Sequence, residues 1–279
     1  MDGSLQHSVI KDAGSRPRKT RVEALRAVTA PADTMLRCRY ELKYQITEAK
    51  AATVEHFIQP YIHLDRYCKL QPTKNYPIVS LYLDSPDFKL CQESLIGKKN
   101  RFKLRIRSYN DDPNYPKFFE IKRRMNTVII KDRHRVMQRD VVPLISLWSL
   151  PPQYYSTEQE ALKQFLLYMA GLNARPVVSV RYIRRAYEDD SENRVRVTFD
   201  RQLAFKVTKE PDFSLNNGGW YRSLLNDVIL EIKFTSRFPA WLSRMAKCLD
   251  LQQQSFSKYV SSVKGSASLG FFPPELLVR

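Results

Sequence analysis

The sequence predicts an α+β fold: an antiparallel eight-stranded β-barrel with a basic lumen and helices packed on its outside. Three observations lead there. Eight segments rich in β-branched and aromatic residues are separated by Pro, Asn, Asp or Gly. Within them charged and apolar residues alternate, and in a strand alternation sends one set of side chains to one face. Lys and Arg total 46 against 29 for Asp and Glu, a formal net charge of +17. Such an excess repels itself unless an anionic partner offsets it.

The strand segments are 39–46, 78–84, 102–109, 118–124, 127–138, 177–187, 194–205 and 227–235. Helices fit between them. Thr47 reads as the N-cap of a helix over 48–61, and Thr157 with Glu160 forms a capping box for one ending near 172. Pro239 suits the first turn of a helix to 249, and a last helix is expected over 252–263. Residues 1–34 are polar and mixed in charge, so a flexible tail is expected there, with a short helix near 22–28. The folded domain is then 35–265, followed by a C-terminal tail over 266–279. No apolar run reaches the length of a membrane span, and the N-terminus lacks the apolar region of a signal peptide. A cytoplasmic protein with no membrane span of its own is therefore expected. Cys38, Cys68, Cys91 and Cys248 form no CxxC pair and read as reduced thiols. His56 and His63, seven apart on a predicted helix, have no evident third ligand for zinc.

The charges repeat the same parity in several strands. Lys103, Arg105 and Arg107 share one face, with Leu104 and Ile106 on the other. Glu120, Lys122 and Arg124 share a face, as do Arg194, Arg196, Thr198 and Asp200, and Glu231 and Lys233; Arg39, Glu41 and Lys43 do so at the start. A wet outer face explains the alternation. Rows of like charge across neighbouring strands are destabilising, however, and call for a shared counter-anion, as inside a charged barrel. Nucleic-acid binders add exposed aromatics that stack bases. Here Tyr44, Phe199 and Phe234 fall opposite the charges, where they read as core, so no nucleic acid is expected.

These motifs, together with Tyr40–Tyr44, 80–84, 131–135, Arg184 within 182–187, and Phe256-Ser257-Lys258-Tyr259, resemble the triphosphate tunnel metalloenzyme superfamily. The resemblance is closest to its VTC branch, the polyphosphate polymerase domain of the vacuolar transporter chaperone. It implies an eight-stranded tunnel in which a metal, Mn or Mg, assists transfer of the γ-phosphoryl group of ATP to inorganic polyphosphate. Matched motif to motif, Lys43, Arg105, Arg107, Lys122, Arg184, Arg196 and Lys258 fall on phosphate-binding positions. Arg39, Lys103, Lys131, Arg133 and Lys233 complete the substrate-binding set. Glu231 falls on a metal-binding carboxylate, and Glu120 is a second acidic candidate. Hydrolytic members carry an N-terminal ExExK; here Arg39 stands at the first Glu, which points to a polymerase over a metal-dependent tripolyphosphatase or nucleoside triphosphatase. A non-catalytic polyanion-binding module is the third reading.

Overall fold

The computed structural model describes residues 38–126, 128–146, 154, 159–189, 194–223, 227–235 and 237–277, residues 38 and 39 by their backbone. Eight long strands form the wall: β1 (Cys38–Ile46), β3 (Tyr76–Asp84), β4 (Asn100–Ser108), β5 (Lys117–Met125), β6 (Val128–Val136), β7 (Arg175–Glu188), β8 (Arg196–Val207) and β10 (Val228–Phe234). The two-residue strands β2 (His63–Leu64) and β9 (Tyr221–Arg222) attach to β7 and β8. The expected strands are thus all present, with ends shifted by up to two residues.

β7 closes the wall. It pairs with β3 along one edge and with β8 along the other, so the ladder runs β7-β3-β4-β5-β6-β1-β10-β8 and returns to β7, antiparallel throughout. Arg184 shows the closure at one residue, since it lies opposite Tyr76 on β3 and Asp200 on β8. A circuit of this kind leaves no free edge along these strands. The β7–β8 register shifts between Arg181 and Ile183, beside Gln202 at a φ of 55°. An irregularity there bends the wall, as β-bulges do.

Apolar residues of the outward parity are covered by helices. Phe119, Ile121, Leu104 and Ile106 pack under α5 (Glu160–Gly171) and α4 (Gln138–Ser146). Tyr44, Phe199, Leu230 and Ile232 pack under α1 (Glu48–Ile58) and α6 (Ala240–Cys248), which confirms the aromatics as core. A third cluster breaks the expectation that all helices lie outside. Ile78, Tyr82, Val178, Val180 and Phe205 have the inward parity of Ser80, Arg107 and Tyr182, and α7 (Lys258–Ser268) packs on them through Tyr259 and Val263. α3 (Lys89–Leu95) joins it through Cys91. One end of the barrel is therefore filled from within.

Other expectations shift for local reasons. Thr47 caps α1 as expected, its hydroxyl accepting from Lys50 N at 3.2 Å. α5 begins at Glu160 after an uncapped Gln159; the expected capping residue Thr157 lies outside the described residues. The last helix starts at Lys258, capped by Ser257, because residues before it are drawn against β1: Gln254 N donates to Lys43 O, and Lys43 Nζ to Phe256 O. It continues to Ser268, and Phe272 beyond it meets Phe88 edge to face at 4.7 Å. His63 lies in β2 and shares no helix face with His56. Short α2 (Arg66–Leu70), α3 and α4 were not anticipated; α2 is capped by Asp65, whose carboxylate accepts from Cys68 N at 2.7 Å. Residues 1–34 lie outside the described residues. Among those described, no helix is long and apolar enough to cross a membrane.

Gly265 is where α7 comes closest to the wall. A Cβ there would stand 2.9 Å from two ring carbons of Phe205. Alanine gains about 1 kcal/mol of helix propensity, but overpacking of this kind costs about 1–3 kcal/mol. Gly265→Ala is expected to lower stability in urea unfolding. The loss should couple to Phe205→Leu in a double-mutant cycle, because the two changes share one contact.

Candidate functional site

The lumen is built by strand register. Lys43 lies opposite Glu231 and Glu41 opposite Lys233 across β1 and β10. Arg105 lies opposite Glu120, and Lys103 opposite Lys122, across β4 and β5. Lys131 and Arg133 follow on β6, opposite Lys122 and Glu120. Since directly opposed residues share a face, these side chains converge inside one wall. The predicted set Arg105, Arg107, Lys122, Arg184 and Arg196 is on that face. Arg39 takes a register position on β1 opposite Ile129.

Four carboxylates divide the cations among themselves. Both Nε and Nη2 of Arg105 reach Glu120 at 2.7 Å; Lys131 reaches it at 2.6 Å and Arg133 at 3.4 Å. Lys122 and Lys43 hold Glu41 at 2.9 and 3.2 Å. Lys233 and Lys258 hold Glu231 at 2.6 and 2.8 Å, with Arg184 at 3.5 Å and Lys43 at 3.9 Å. Arg184 grips Asp200 through two nitrogens at 2.6 and 2.7 Å, and Lys258 reaches the same carboxylate at 2.6 Å. Arg107 and Lys103 turn to neutral groups. Arg107 donates to Ser80 Oγ and the Tyr182 hydroxyl at 3.1 and 3.2 Å, and Lys103 to Ser257 Oγ at 2.5 Å.

The two ends differ in chemistry. β4 starts at Asn100 and β5 finishes at Met125 at one end, where Lys103, Lys122, Lys43 and the first residue of α7, Lys258, gather. At the other end are Arg107, Arg133 and Arg196; Arg196 is clamped by Asp65 at 2.5 Å and by Glu188, with the Tyr76 hydroxyl at 3.3 Å. The first, where the lysines meet inside a rim that carries Arg101 opposite Arg124, is here named the lysine end, and the second the arginine end. Asp200 was within reach of sequence reasoning, since it continues the parity of Arg196 and Thr198. Tyr182 and Ser257 stood inside the motifs 182–187 and 256–259 with no role of their own, and Asp65 was out of reach because it arrives from outside the long strands.

Burial and crowding set the protonation states. Burial alone would raise the Glu231 carboxyl; Lys233, Lys258, Lys43 and Arg184 reverse this and hold it well below the usual carboxylate range. Glu120 is held down against burial by Lys131, Arg105, Arg107 and Arg133, and Glu41 by Lys122 and Lys43. The lysines show the opposite strain. Burial, then Lys43 and Arg105, push Lys122 down to about 8 against the pull of Glu41 and Glu231. Burial and like-charged neighbours also push Lys103 and Lys131 well below the ordinary lysine value. The lumen holds more cation than its carboxylates neutralise.

A divalent metal fits Glu231 and not Glu120. Lys258 Nζ already sits between Glu231 and Asp200, so the field there suits a cation. No group of three His, Cys, Asp or Glu ligands forms among the described residues. A metal there would complete its shell with phosphate oxygens and water, the usual habit of Mg²⁺, and would displace Lys258 from between the two carboxylates. Glu120 shares its three cations with no second carboxylate among the described residues.

Glu120→Gln would leave Arg105, Lys131 and Arg133 facing one another. Losing one partner of a buried pair costs about 3–5 kcal/mol, so a lower Tm is expected without ligand, restored in part by tripolyphosphate. Unchanged Tm would remove Glu120 from this role. Lysine titration gives a second expectation. The folded pKa of Lys122 lies below its unfolded value, so the folded protein carries fewer protons from pH about 8 to about 10.4. Stability of the anion-free protein should therefore rise with pH across that window. A bound polyanion favours the charged amines, so binding near pH 8.5 should take up protons and weaken as pH rises. Calorimetry in buffers of different ionisation enthalpy reads the uptake directly.

The family described as "VTC domain" matches residues 38–266. No curated protein matches the sequence. Among solved structures, the Hippeastrum protein HpAC1, described as revealing a dominant triphosphatase activity, is 13% identical with a TM-score of 0.44, covering 85% of this chain and 98% of its own. The PH1819 protein of Pyrococcus horikoshii OT3 is 12% identical with a TM-score of 0.42, covering 81% and 99%. The Mimivirus capping enzyme triphosphatase is 11% identical with a TM-score of 0.32, covering 77% and 88%. With the family match spanning the whole barrel and the first turns of α7, this chain belongs to the VTC domain family.

Proposed function

We propose that the chain is an ATP-dependent polyphosphate polymerase, transferring the γ-phosphoryl group of ATP to a growing polyphosphate inside the tunnel. One observation carries the reading: a track of Lys and Arg runs from Lys103 and Lys258 at one end to Arg133 and Arg196 at the other, in excess of the carboxylates among it, which are Glu41, Glu120, Asp200 and Glu231, with Asp65 and Glu188 on Arg196. That is more cation than a lone triphosphate needs, and suits two polyanions brought end to end.

Phosphoryl transfer depends on positioning and charge neutralisation more than on covalent help from the protein. Arg105, Arg107 and Arg184 present planar forks that grip phosphate oxygens in pairs, and Lys43, Lys122 and Lys258 add point charges. In a water-poor lumen each such contact is strengthened. The attacking oxygen of a phosphate chain is ionised near neutral pH, so no general base is required. A divalent cation, Mn or Mg, held by Glu231, would supply further neutralisation of the phosphate oxygens. Binding substrate requires the amines and guanidinium groups to leave Glu41, Asp200 and Glu231 in part and turn to phosphate.

Hydrolysis is the rival reading and differs in what attacks. Water must then be placed in line, usually with help from metal and carboxylate. The carboxylates here are occupied by cations, which favours a polyanion as acceptor. Incubation with ATP and Mn or Mg, followed by gel electrophoresis and phosphorus NMR, is expected to show ADP and long chains. Lys43→Ala, Arg107→Ala and Lys258→Ala should each cost about 2–4 kcal/mol, roughly 30- to 1,000-fold in rate. Release of orthophosphate alone, under every metal and ATP concentration, would establish the triphosphatase instead.

A further inference from the structure

The arginine end carries a group of rings that phosphate binding does not use. Tyr109 follows β4 and stands 5.7 Å from Phe118 of β5 and 6.2 Å from Tyr76 of β3, centroid to centroid. Tyr67, on α2, stands 5.9 Å from Tyr76. Tyr76, between Tyr67 and Tyr109, also has its hydroxyl 3.3 Å from Arg196 of β8, so the rings span strands from separate parts of the wall. Tyr67, Tyr109 and Phe118 are each half-buried, unlike the sealed aromatics of the outer cores.

One planar group is already stacked here. The Arg133 guanidinium lies 3.6 Å from the Phe118 ring centroid and 5.5 Å from that of Tyr109. The contact shows that a flat cation is accommodated among these rings at the edge of the phosphate-binding lumen. The lysine end differs. Among the described residues there, Tyr82 is stacked on Tyr259 of α7 at 4.8 Å and is buried, and the half-buried Phe256 leads into α7 and packs with the cluster beneath it. A ligand with an anionic chain at one end and a flat aromatic group at the other is matched better with that group at the arginine end.

We propose that the arginine end binds the base of a nucleoside triphosphate by stacking on Tyr67, Tyr109 and Phe118, leaving the terminal phosphate directed toward the lysine end. This rests on the reading that the tunnel takes a triphosphate, and it adds which end the nucleoside occupies and which side chains hold it. The phenol hydroxyls are dispensable for stacking, whereas the rings are not. Base–aromatic stacking is tolerant of base identity, so purine triphosphates as a class should be accepted without strong discrimination.

Binding of ATP and of tripolyphosphate to the full chain separates the base from the phosphates. Tyr67→Leu and Tyr109→Leu should each weaken ATP about tenfold and leave tripolyphosphate unchanged, while Tyr67→Phe should match wild type for both. Lys103→Met should weaken both ligands alike. A fluorescent triphosphate of 2-aminopurine riboside adds a readout that needs no variant: stacking quenches it, and wild-type protein is expected to do so. Unquenched fluorescence of the bound probe would overturn the proposal, as would equal loss of ATP and tripolyphosphate, or loss of neither, in the leucine variants. Failure of wild-type protein to bind either anion would instead bring down the underlying reading of the tunnel.

Discussion

Mutual repulsion among buried cations is the constraint on which this structure turns. Arg105, Arg107, Lys122, Lys131 and Arg184 face one lumen within a few residues of one another, and burial makes their charge costly as well. Four carboxylates relieve part of that cost. Each is shared: Glu120 by three cations, Glu231 by four, Asp200 and Glu41 by two each. Sharing keeps the empty lumen intact without neutralising it. What is left unneutralised, visible in the depressed lysines, is the driving force for taking up an anion.

The wall can hold this charge only because its other side is conventional. Alternation sends Leu104, Ile106, Phe119 and Ile121 outward beneath α4 and α5, and Leu230, Ile232 and Phe199 outward beneath α1 and α6. Closure through β7 then prevents the charged face from opening to solvent along an edge. The inner wall formed by β3 and β7 is the exception. There the inward side chains turn apolar, and α7 packs on them, carrying Lys258 into contact with Glu231 and Asp200. A helix that serves as core on one side thus delivers a buried cation to the lumen on the other. The tight fit of Gly265 against Phe205 is the packing cost of placing it there.

Arginine and lysine are distributed unevenly, and the chemistry of each suits its place. Guanidinium forks hold fixed geometry and pair with phenols and carboxylates, as Arg107 does with Tyr182 and Arg196 with Tyr76 and Asp65. Amines are point charges that gain and lose protons under crowding. An ordered grip at one end and an adjustable one at the other would suit the proposed transfer, in which the acceptor changes length and the donor does not.

Much of this was legible in the chain itself. Period-two alternation located every long strand and placed Arg105, Arg107, Lys122, Arg184 and Arg196 on one face, because side-chain direction in a strand follows from sequence parity alone. Composition indicated an anionic partner, because net charge is additive and needs no geometry. The start of α1 at Thr47 was readable for the same kind of reason: a cap acts across three residues. The partners were not readable. Whether Glu231 faces a metal or a lysine, whether Glu120 is a ligand or the hub of three cations, and that Asp65 clamps Arg196 all depend on which strands become neighbours. The start of α7 depended on β1, which draws the preceding residues alongside Lys43 and delays the helix. Tyr67 joins Tyr109 around Tyr76 only when α2 packs beside the start of β3. Sequence determined which side chains point together; tertiary structure decided which of them meet, because contact between distant segments is set by register and closure, and neither is written in local order.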